Sequence, residues 1–407
     1  MIDIKPARRT EGVREYYFSI KNKEMARLNA ERESRGEDRI INLGIGSPNG
    51  MPPLPAIEKL VATAPLPGQH AYQNYTGNPE LREAFAAWYN RYYGVTLDPA
   101  VEIQPLVGSK EGILLTSMAF LNAGDRVLVP DPGYPTYSSA SRLVEAEIVT
   151  YDLTEENGWM PDFEALEAAD PDSIKLMWVN YPNMPTGAKP TVELYERIVA
   201  FALKHNILVV NDNPYSFILN DTPLSILSVE GARECCMELN SLSKAHNMAG
   251  WRIGMIAGDA SLIAEVLKVK SQMDSGMFKP LQMAAVEALS AGPEWFEALN
   301  AEYRRRRVAA EAVFDRLGVR YDKGSAGLFV WGRISEDNPL IQGYAMEKSL
   351  GERLSDRLLY DAGVFMAPGI VFGRNGRDYI RTSLCADVPT LEKALKKVEK
   401  LLSSHNA

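Results

Sequence analysis

Between residues 100 and 260 the chain is a train of short, continuous apolar runs separated by longer amphipathic stretches. Runs such as Ile174-Lys-Leu-Met-Trp-Val179 and Ile207-Leu-Val-Val210 are too short for core helices. They are also too continuous for strands with one wet face, so they predict strands buried on both sides. Seven such strands are predicted, at 102–107, 126–130, 147–151, 174–180, 207–211, 235–240 and 252–257. Strands alternating with helices imply a mainly parallel, doubly wound seven-stranded sheet in a three-layer α/β lobe.

After residue 260 the pattern changes. A helix-rich stretch runs to about residue 317, and strands are predicted at 327–334, 364–366 and 379–384, with helices around 340–362 and 389–403. That mixture predicts a smaller α+β domain. Residues 1–40 are charged and helical in pattern, and a Pro- and Gly-rich cluster from Gly44 to Pro67 predicts an irregular arm. A chain of 407 residues exceeds the roughly 300 at which single cores stop growing. The expected division is an N-terminal arm over 1–50 belonging to the small domain, a large domain over 51–290 and a small domain over 291–407.

Composition narrows the function. A hydrophobic share of 46% and a charged share of 24% are those of a soluble globular chain. The net charge of −9 argues against a nucleic-acid surface but leaves room for a local cationic pocket. The longest apolar runs fall far short of the ~20 residues that span a bilayer. The first twenty residues show no signal-type apolar run, and the three cysteines fit a reducing compartment, so a cytoplasmic protein without membrane contact is expected. Four histidines without HxxxH spacing make a metal site unexpected.

Ligands of open α/β sheets bind beyond the carboxyl ends of the strands, and four polar clusters fall there. Gly108-Ser-Lys-Glu-Gly112 follows a strand and opens a helix, offering free N–H groups to a phosphate; a simple helix cap has the same sequence. Tyr134, in Asp131-Pro-Gly-Tyr134, suits stacking on a planar ring or covering a turn. Asp212, ending an apolar strand, would be partly desolvated and in need of a cation such as a protonated ring nitrogen, with Tyr215 three residues on; a solvated turn is the other reading.

The fourth cluster is the most informative. Ser241-Leu-Ser-Lys244 and Gly250-Trp-Arg252 bring two cations and two hydroxyls to one strand end. Crowded cations call for an anion, and a lysine beside another cation has a lowered pKa that makes its amine nucleophilic. Schiff-base chemistry with a phosphorylated aldehyde needs this combination.

With these residues in view, the chain resembles the class I/II pyridoxal-phosphate-dependent aminotransferases of fold type I. Gly-Ser-Lys-Glu-Gly, Asn180-Tyr-Pro-Asn-Met-Pro-Thr-Gly187, Asp-Asn-Pro-Tyr, Ser-Leu-Ser-Lys with Gly-Trp-Arg, and Tyr379-Ile-Arg-Thr-Ser383 occur in the family's order, with Asp212 32 residues before Lys244. The likeness covers about residues 40–390 and leans to the diaminopimelate/aspartate aminotransferase branch.

The resemblance implies pyridoxal 5'-phosphate held as a Schiff base on Lys244, which would also move the substrate proton. Asp212 would hold the pyridine N–H and Tyr215 the phenolic oxygen. Ser109, Lys110, Ser241, Ser243 and Arg252 would bind the phosphate, and Tyr134 would stack on the ring. Tyr72 would reach the phosphate of the neighbouring subunit, which implies a homodimer with shared sites. Arg381 would fork onto the substrate α-carboxylate and Gly46 would offer backbone to it. One departure stands out: Met184 occupies the place of the family's phenolic-oxygen asparagine, so Asn183 or Asn180 is expected to reach in instead, or Tyr215 to act alone.

The reaction implied is transfer of an amino group from an L-amino acid to a 2-oxo acid. A C–S lyase or a decarboxylase would use the same residues. A ligand-sensing regulator on this fold would need a DNA-binding module, for which the ~40 residues before Gly44 are too few. Lys279 could serve an acidic substrate from the other subunit or merely cap a turn. Arg304–Arg307 is read as a solvated helix face, Cys235 and Cys236 as core filler, His246 and Trp251 as packing, and Gly44-x-Gly46 as no dinucleotide fingerprint.

Overall fold

In the computed structural model, which describes residue 2 and residues 4–405, the seven apolar runs form one sheet. Its strands are β1 (Ile103–Leu106), β2 (Arg126–Asp131), β3 (Glu147–Asp152), β4 (Ile174–Val179), β5 (Leu208–Asp212), β6 (Cys236–Ser241) and β7 (Gly254–Gly258). Their order is β1-β7-β6-β5-β4-β2-β3. All neighbours are parallel except β7, which runs antiparallel to both β1 and β6.

Alternation along the strands gives the sheet two apolar faces, each with its own core. Val127, Val129, Leu176, Trp178, Val210 and Ile256 pack on one side with helices Ser109–Phe120, Pro135–Leu143 and Ala260–Lys270. Leu128, Met177, Val179, Val209 and Met255 pack on the other with helices Pro79–Tyr93, Val192–His205 and Lys279–Leu289. Burial on both faces accounts for the near-continuous hydrophobic runs.

The second core continues into a four-stranded antiparallel sheet, made of β8 (Arg320–Tyr321), β9 (Phe329–Arg333), β10 (Ala367–Pro368) and β11 (Tyr379–Ser383) in the order β10-β11-β9-β8. Helices Pro293–Leu317 and Val388–His405 pack against each other beside it. The N-terminal segment holds a helix, Tyr17–Ser34, and a short strand, Ile41–Asn42, that pairs in parallel with Val364–Phe365. The stretch read as an irregular arm also contains a helix, Leu54–Thr63.

Two readings need correction. Cys235 closes a short helix, Ala232–Cys235, and only Cys236 begins the strand; both thiols are buried. The arginine run is not one solvated face. Arg304 and Arg305 are exposed, but Arg306 and Arg307 are 8% exposed. Arg307 holds Glu311 at 2.8 Å and donates to the carbonyls of Asp322 and Ser325, while Arg306 donates to Asn49 Oδ1 at 2.7 Å and to the carbonyls of Leu384 and Cys385. A helix of 25 residues must turn half of any four-residue run inward, and guanidinium is the cation that can be buried if loop carbonyls receive it.

Candidate active site

The reversed direction of β7 assembles the site. Strands β1 to β6 share one carboxyl edge, and β7 begins where they end, with Ser241 opposite Gly254. Arg252, just before β7, therefore meets residues just after β1 and β6. Its Nη1 donates to Ser243 Oγ at 3.4 Å and to the Ala249 carbonyl at 2.8 Å, and its Nη2 reaches the Val107 carbonyl at 3.4 Å. Arg252 has φ +58°, a left-handed conformation uncommon for a non-glycine residue.

Around it lies an anion cradle. Helix Ser109–Phe120 starts after Gly108 with no side-chain cap, so its first N–H groups are left for a ligand. Ser241 Oγ donates to Ser243 Oγ at 2.8 Å and accepts the Ser243 N–H at 3.1 Å. A Cβ at Gly254 would lie 2.7 Å from the Asn240 carbonyl and 2.8 Å from the Ser109 nitrogen, so glycine is required where these segments converge. Glu111 braces the cradle from behind: it accepts the Val107 N–H at 2.6 Å and faces the buried Lys270, which also holds Asp274 at 2.5 Å.

At the end of β5, Asp212 is buried. Tyr137 donates to its Oδ2 at 2.9 Å, and its Oδ1 is buried with no partner. Burial pushes this carboxyl up to about 6, against the pull of Tyr137 and Lys244. Lys244 follows β6, and its Nζ donates to the Gly46 carbonyl at 2.5 Å. Burial, then Arg381 and Arg252, lower its pKa, opposed by Cys385 and Asp212.

The second sheet supplies Arg381 from β11. Its Nη2 donates to the Gly44 carbonyl at 2.6 Å and its Nη1 lies 3.3 Å from Met184 Sδ, while Nε has no partner. Phe329 and Phe372 stand 3.8 and 4.5 Å from its guanidinium carbon, and burial draws its pKa down to about 10.

These residues line one cleft of about 370 Å³. Gly46, Ser109, Lys110, Tyr134, Asp212, Tyr215, Ser241, Ser243, Lys244, Arg252 and Arg381 are all on its wall. Asn183 is not. Its amide is used inside its own turn, accepting from Thr186 and donating to the Asn180 carbonyl. Asn180 lines the cleft instead, with its Nδ2 donating to the Asp212 carbonyl and its Oδ1 accepting the Met184 N–H. Tyr72 is 90% exposed, and neither it nor Lys279 lines this chain's cleft.

Sequence reasoning missed Tyr137, Tyr16, Phe18, Phe329 and Phe372, all on the cleft wall. Tyr137 lies three residues after Tyr134 on the following helix, a spacing that marks it as a neighbour; the phenylalanines carry no signal beyond hydrophobicity. His246 is packed between Trp88 and Phe296, and burial holds it down to about 3, which bars it from proton transfer near neutrality. Among the described residues, no cluster of three or more His, Cys, Asp or Glu side chains is arranged for a metal, and no helix is long and apolar enough to cross a membrane.

An unpartnered buried carboxylate oxygen, an uncapped helix start with two serines and an arginine, and a lysine of lowered pKa between them fit a phosphorylated pyridine aldehyde. They define a pyridoxal-phosphate-dependent enzyme of the aminotransferase fold. The profile of aminotransferase class I and II matches residues 38–398. The chain belongs to the class I and II aminotransferase family and is a pyridoxal-phosphate-dependent aminotransferase. It is 39% identical to the LL-diaminopimelate aminotransferase of Nitratidesulfovibrio vulgaris, over 98% of this chain and 100% of that one. It is 40% identical to that of Oleidesulfovibrio alaskensis, over 92% and 94% of the two chains. Among solved structures, substrate-bound BacF from Bacillus subtilis superposes with a TM-score of 0.89 at 34% identity, covering 98% of each chain.

Proposed function

We propose that Lys244 carries the cofactor and that Arg381 anchors the substrate α-carboxylate, in amino-group transfer from an L-amino acid to a 2-oxo acid. The observation that carries this reading is one backbone strap: Gly46 receives the Lys244 ammonium and Gly44 the Arg381 guanidinium, so amine and anchor stand two residues apart. Pyridoxal phosphate, when bound, supplies the electron sink for a negative charge at the substrate Cα.

The chain's residues do the rest. Lys244 Nζ, with its lowered pKa, would take the proton from Cα and deliver it to the cofactor's former aldehyde carbon. Asp212 Oδ1 pairs with the ring nitrogen and keeps it cationic. Ser109, Ser241, Ser243 and Arg252, with the backbone of Lys110, hold the phosphate. Tyr134 covers the ring and Tyr215 donates to the phenolic oxygen. The exposed Tyr72 supports a homodimer in which it reaches the partner's phosphate. The pairing of Ile41–Asn42 with Val364–Phe365 supports counting residues 1–50 with 291–407 as the smaller domain. The apolar runs and buried free thiols support a cytoplasmic site.

The half-reaction tests this. Holoprotein mixed with an L-amino acid alone is expected to yield bound pyridoxamine phosphate and one equivalent of 2-oxo acid, and a second 2-oxo acid restores the starting form. Pyruvate and ammonia would identify a lyase, and carbon dioxide a decarboxylase.

A further inference from the structure

Glu238 is an interior carboxylate that the amino-transfer reading does not use. It lies on β6 directly opposite Asn211 on β5, and it is fully buried. Both side chains point to the face of the sheet that carries Tyr89 and Tyr195, whereas Asp212, one residue on, meets Tyr137 on the other face. Four donors meet the carboxylate. Its Oε2 accepts Asn211 Nδ2 at 2.8 Å and the Ile226 N–H at 3.0 Å. Its Oε1 accepts the Ser225 hydroxyl at 2.8 Å and the Tyr89 hydroxyl at 2.9 Å. None of the four donors is a cation. Burial pushes this carboxyl up, and the same donors pull it back.

Three of the four donors stand at the two ends of one loop. Asn211 precedes Asp212, and Ser225 and Ile226 follow Leu224, so residues 212–224 leave the sheet and return to the same carboxylate. A single oxygen, Oε2, accepts from both ends. Asn213 Nδ2 adds a tie across the mouth, to the Leu224 carbonyl at 3.0 Å. The crown of the loop rests on Asn300, which accepts the Leu219 N–H at 2.8 Å and donates to the Phe217 carbonyl at 2.9 Å. The loop presents Asp212 and Tyr215 to the cleft. A buried carboxylate without a counter-charge is a poor source of stability, because an apolar side chain of its size would carry no desolvation cost. What it gives is geometry: a buried polar group with every bond satisfied rigidifies the segments that supply them.

We propose that Glu238 is a positioning residue that clamps the ends of loop 212–224 and so sets where Asp212 and Tyr215 stand against the cofactor ring. This rests on the reading in which those two residues bind a cofactor carried by Lys244. Glu238 does not line the cleft, so its effect passes through the loop. Tyr89 supplies the control. It donates to the same oxygen as Ser225 but stands on helix Pro79–Tyr93, outside the loop. Asn240, which also donates to Tyr89, has Tyr93 as a second acceptor.

The test titrates the apoproteins of E238Q, E238M, S225A and Y89F with pyridoxal phosphate and compares the holoproteins in visible circular dichroism, with urea midpoints recording the fold. Gln keeps an acceptor for Asn211 and Ile226, and the two hydroxyls opposite can turn to receive its amide; Met has the same length and only a weakly accepting sulfur. Folded E238M is expected to bind the cofactor ~10-fold more weakly with reduced visible dichroism, whereas E238Q stays within about 3-fold of the parent. S225A is expected to weaken binding by about 5-fold and Y89F by less than about 2-fold, although each removes one donor from the same oxygen. That pair decides if E238M does not fold. Parental affinity and dichroism in folded E238M, equal losses in S225A and Y89F, or a loss in E238Q as large as in E238M each overturn the clamp. Borohydride reduction of the parent holoprotein, followed by peptide mass, checks the underlying reading separately: a cofactor fixed anywhere but Lys244 overturns the cofactor assignment itself.

Discussion

Tyr137 donates its phenolic proton to Asp212 Oδ2 at 2.9 Å, while its ring stacks on Trp178 at 5.2 Å between centroids. The stack fixes the phenol, and the phenol fixes the carboxylate. Y137F keeps the stack and removes the donor. A buried hydrogen bond to a charged group contributes about 1.5–3 kcal/mol. We expect cofactor affinity to fall by roughly 10-fold or more, with the fold retained, as read by titration of the apoprotein with pyridoxal phosphate. Unchanged affinity would remove Tyr137 from the site.

Asp212 also makes the apoprotein pH-sensitive. Its folded pKa of about 6 lies above the ordinary 3.8, so the folded state binds its proton more tightly than the unfolded state. Its contribution to stability is fully present below about pH 4 and is lost as the pH rises through about 6. The difference is on the order of 3 kcal/mol. D212N apoprotein should therefore be the more stable form at pH 8 and nearly equal to the parent near pH 4, in urea midpoints. A parent that is the more stable at pH 8 would show the sign to be wrong.

Met184 stands 3.3 Å from Arg381 Nη1, with no donor of its own to give a phenolic oxygen. M184N adds an amide there. A donor favours the ionised phenol, so the absorption titration of the bound cofactor should move to lower pH in the variant. Coincident titrations would deny this position any electronic part.

Arg381 is gripped by two aromatic rings and by the Gly44 carbonyl. R381K keeps the charge but loses the planar fork and its stacking. We expect KM for the amino acid to rise by ~100-fold, with cofactor affinity unchanged, because no cofactor-end residue touches the guanidinium. Loss of cofactor binding in parallel would contradict that separation.

The arginine run separates two energetic classes three residues apart. R307A removes the buried guanidinium that holds the half-buried Glu311 and the carbonyls of Asp322 and Ser325, and should cost about 3 kcal/mol in denaturant unfolding. R304A, at a 58%-exposed side chain 3.9 Å from Asp221, should fall within about 0.5 kcal/mol of the parent.

What could be read from the chain was whatever the backbone period controls. The seven apolar runs became the seven strands with ends shifted by a residue or two, because strands buried on both faces have an unambiguous pattern. Polar residues at strand ends, such as Asp212 and Lys244, were legible because only function keeps them there. Side-chain direction was not. Asn183 and Asn180 are alike in sequence, and only the turn's own hydrogen bonds decide that Asn180 lines the cleft. Arg306 and Arg304 differ in nothing but helical phase. The phenylalanines around Arg381 read as ordinary core, since packing and recognition use the same chemistry.

The antiparallel run of β7 makes the Ser241–Gly254 connection a hairpin, and its twelve-residue loop (242–253) holds Lys244 and Arg252 together. On the proposed reading, the cofactor lysine and the arginine of the phosphate cradle are thus written in one contiguous stretch of polypeptide, whereas Arg381, the proposed carboxylate anchor, arrives from a separate sheet more than a hundred residues later. The two can drift at different rates: the surroundings of Arg381 are open to new side chains, and with them new substrates, while the hairpin goes on binding the same coenzyme.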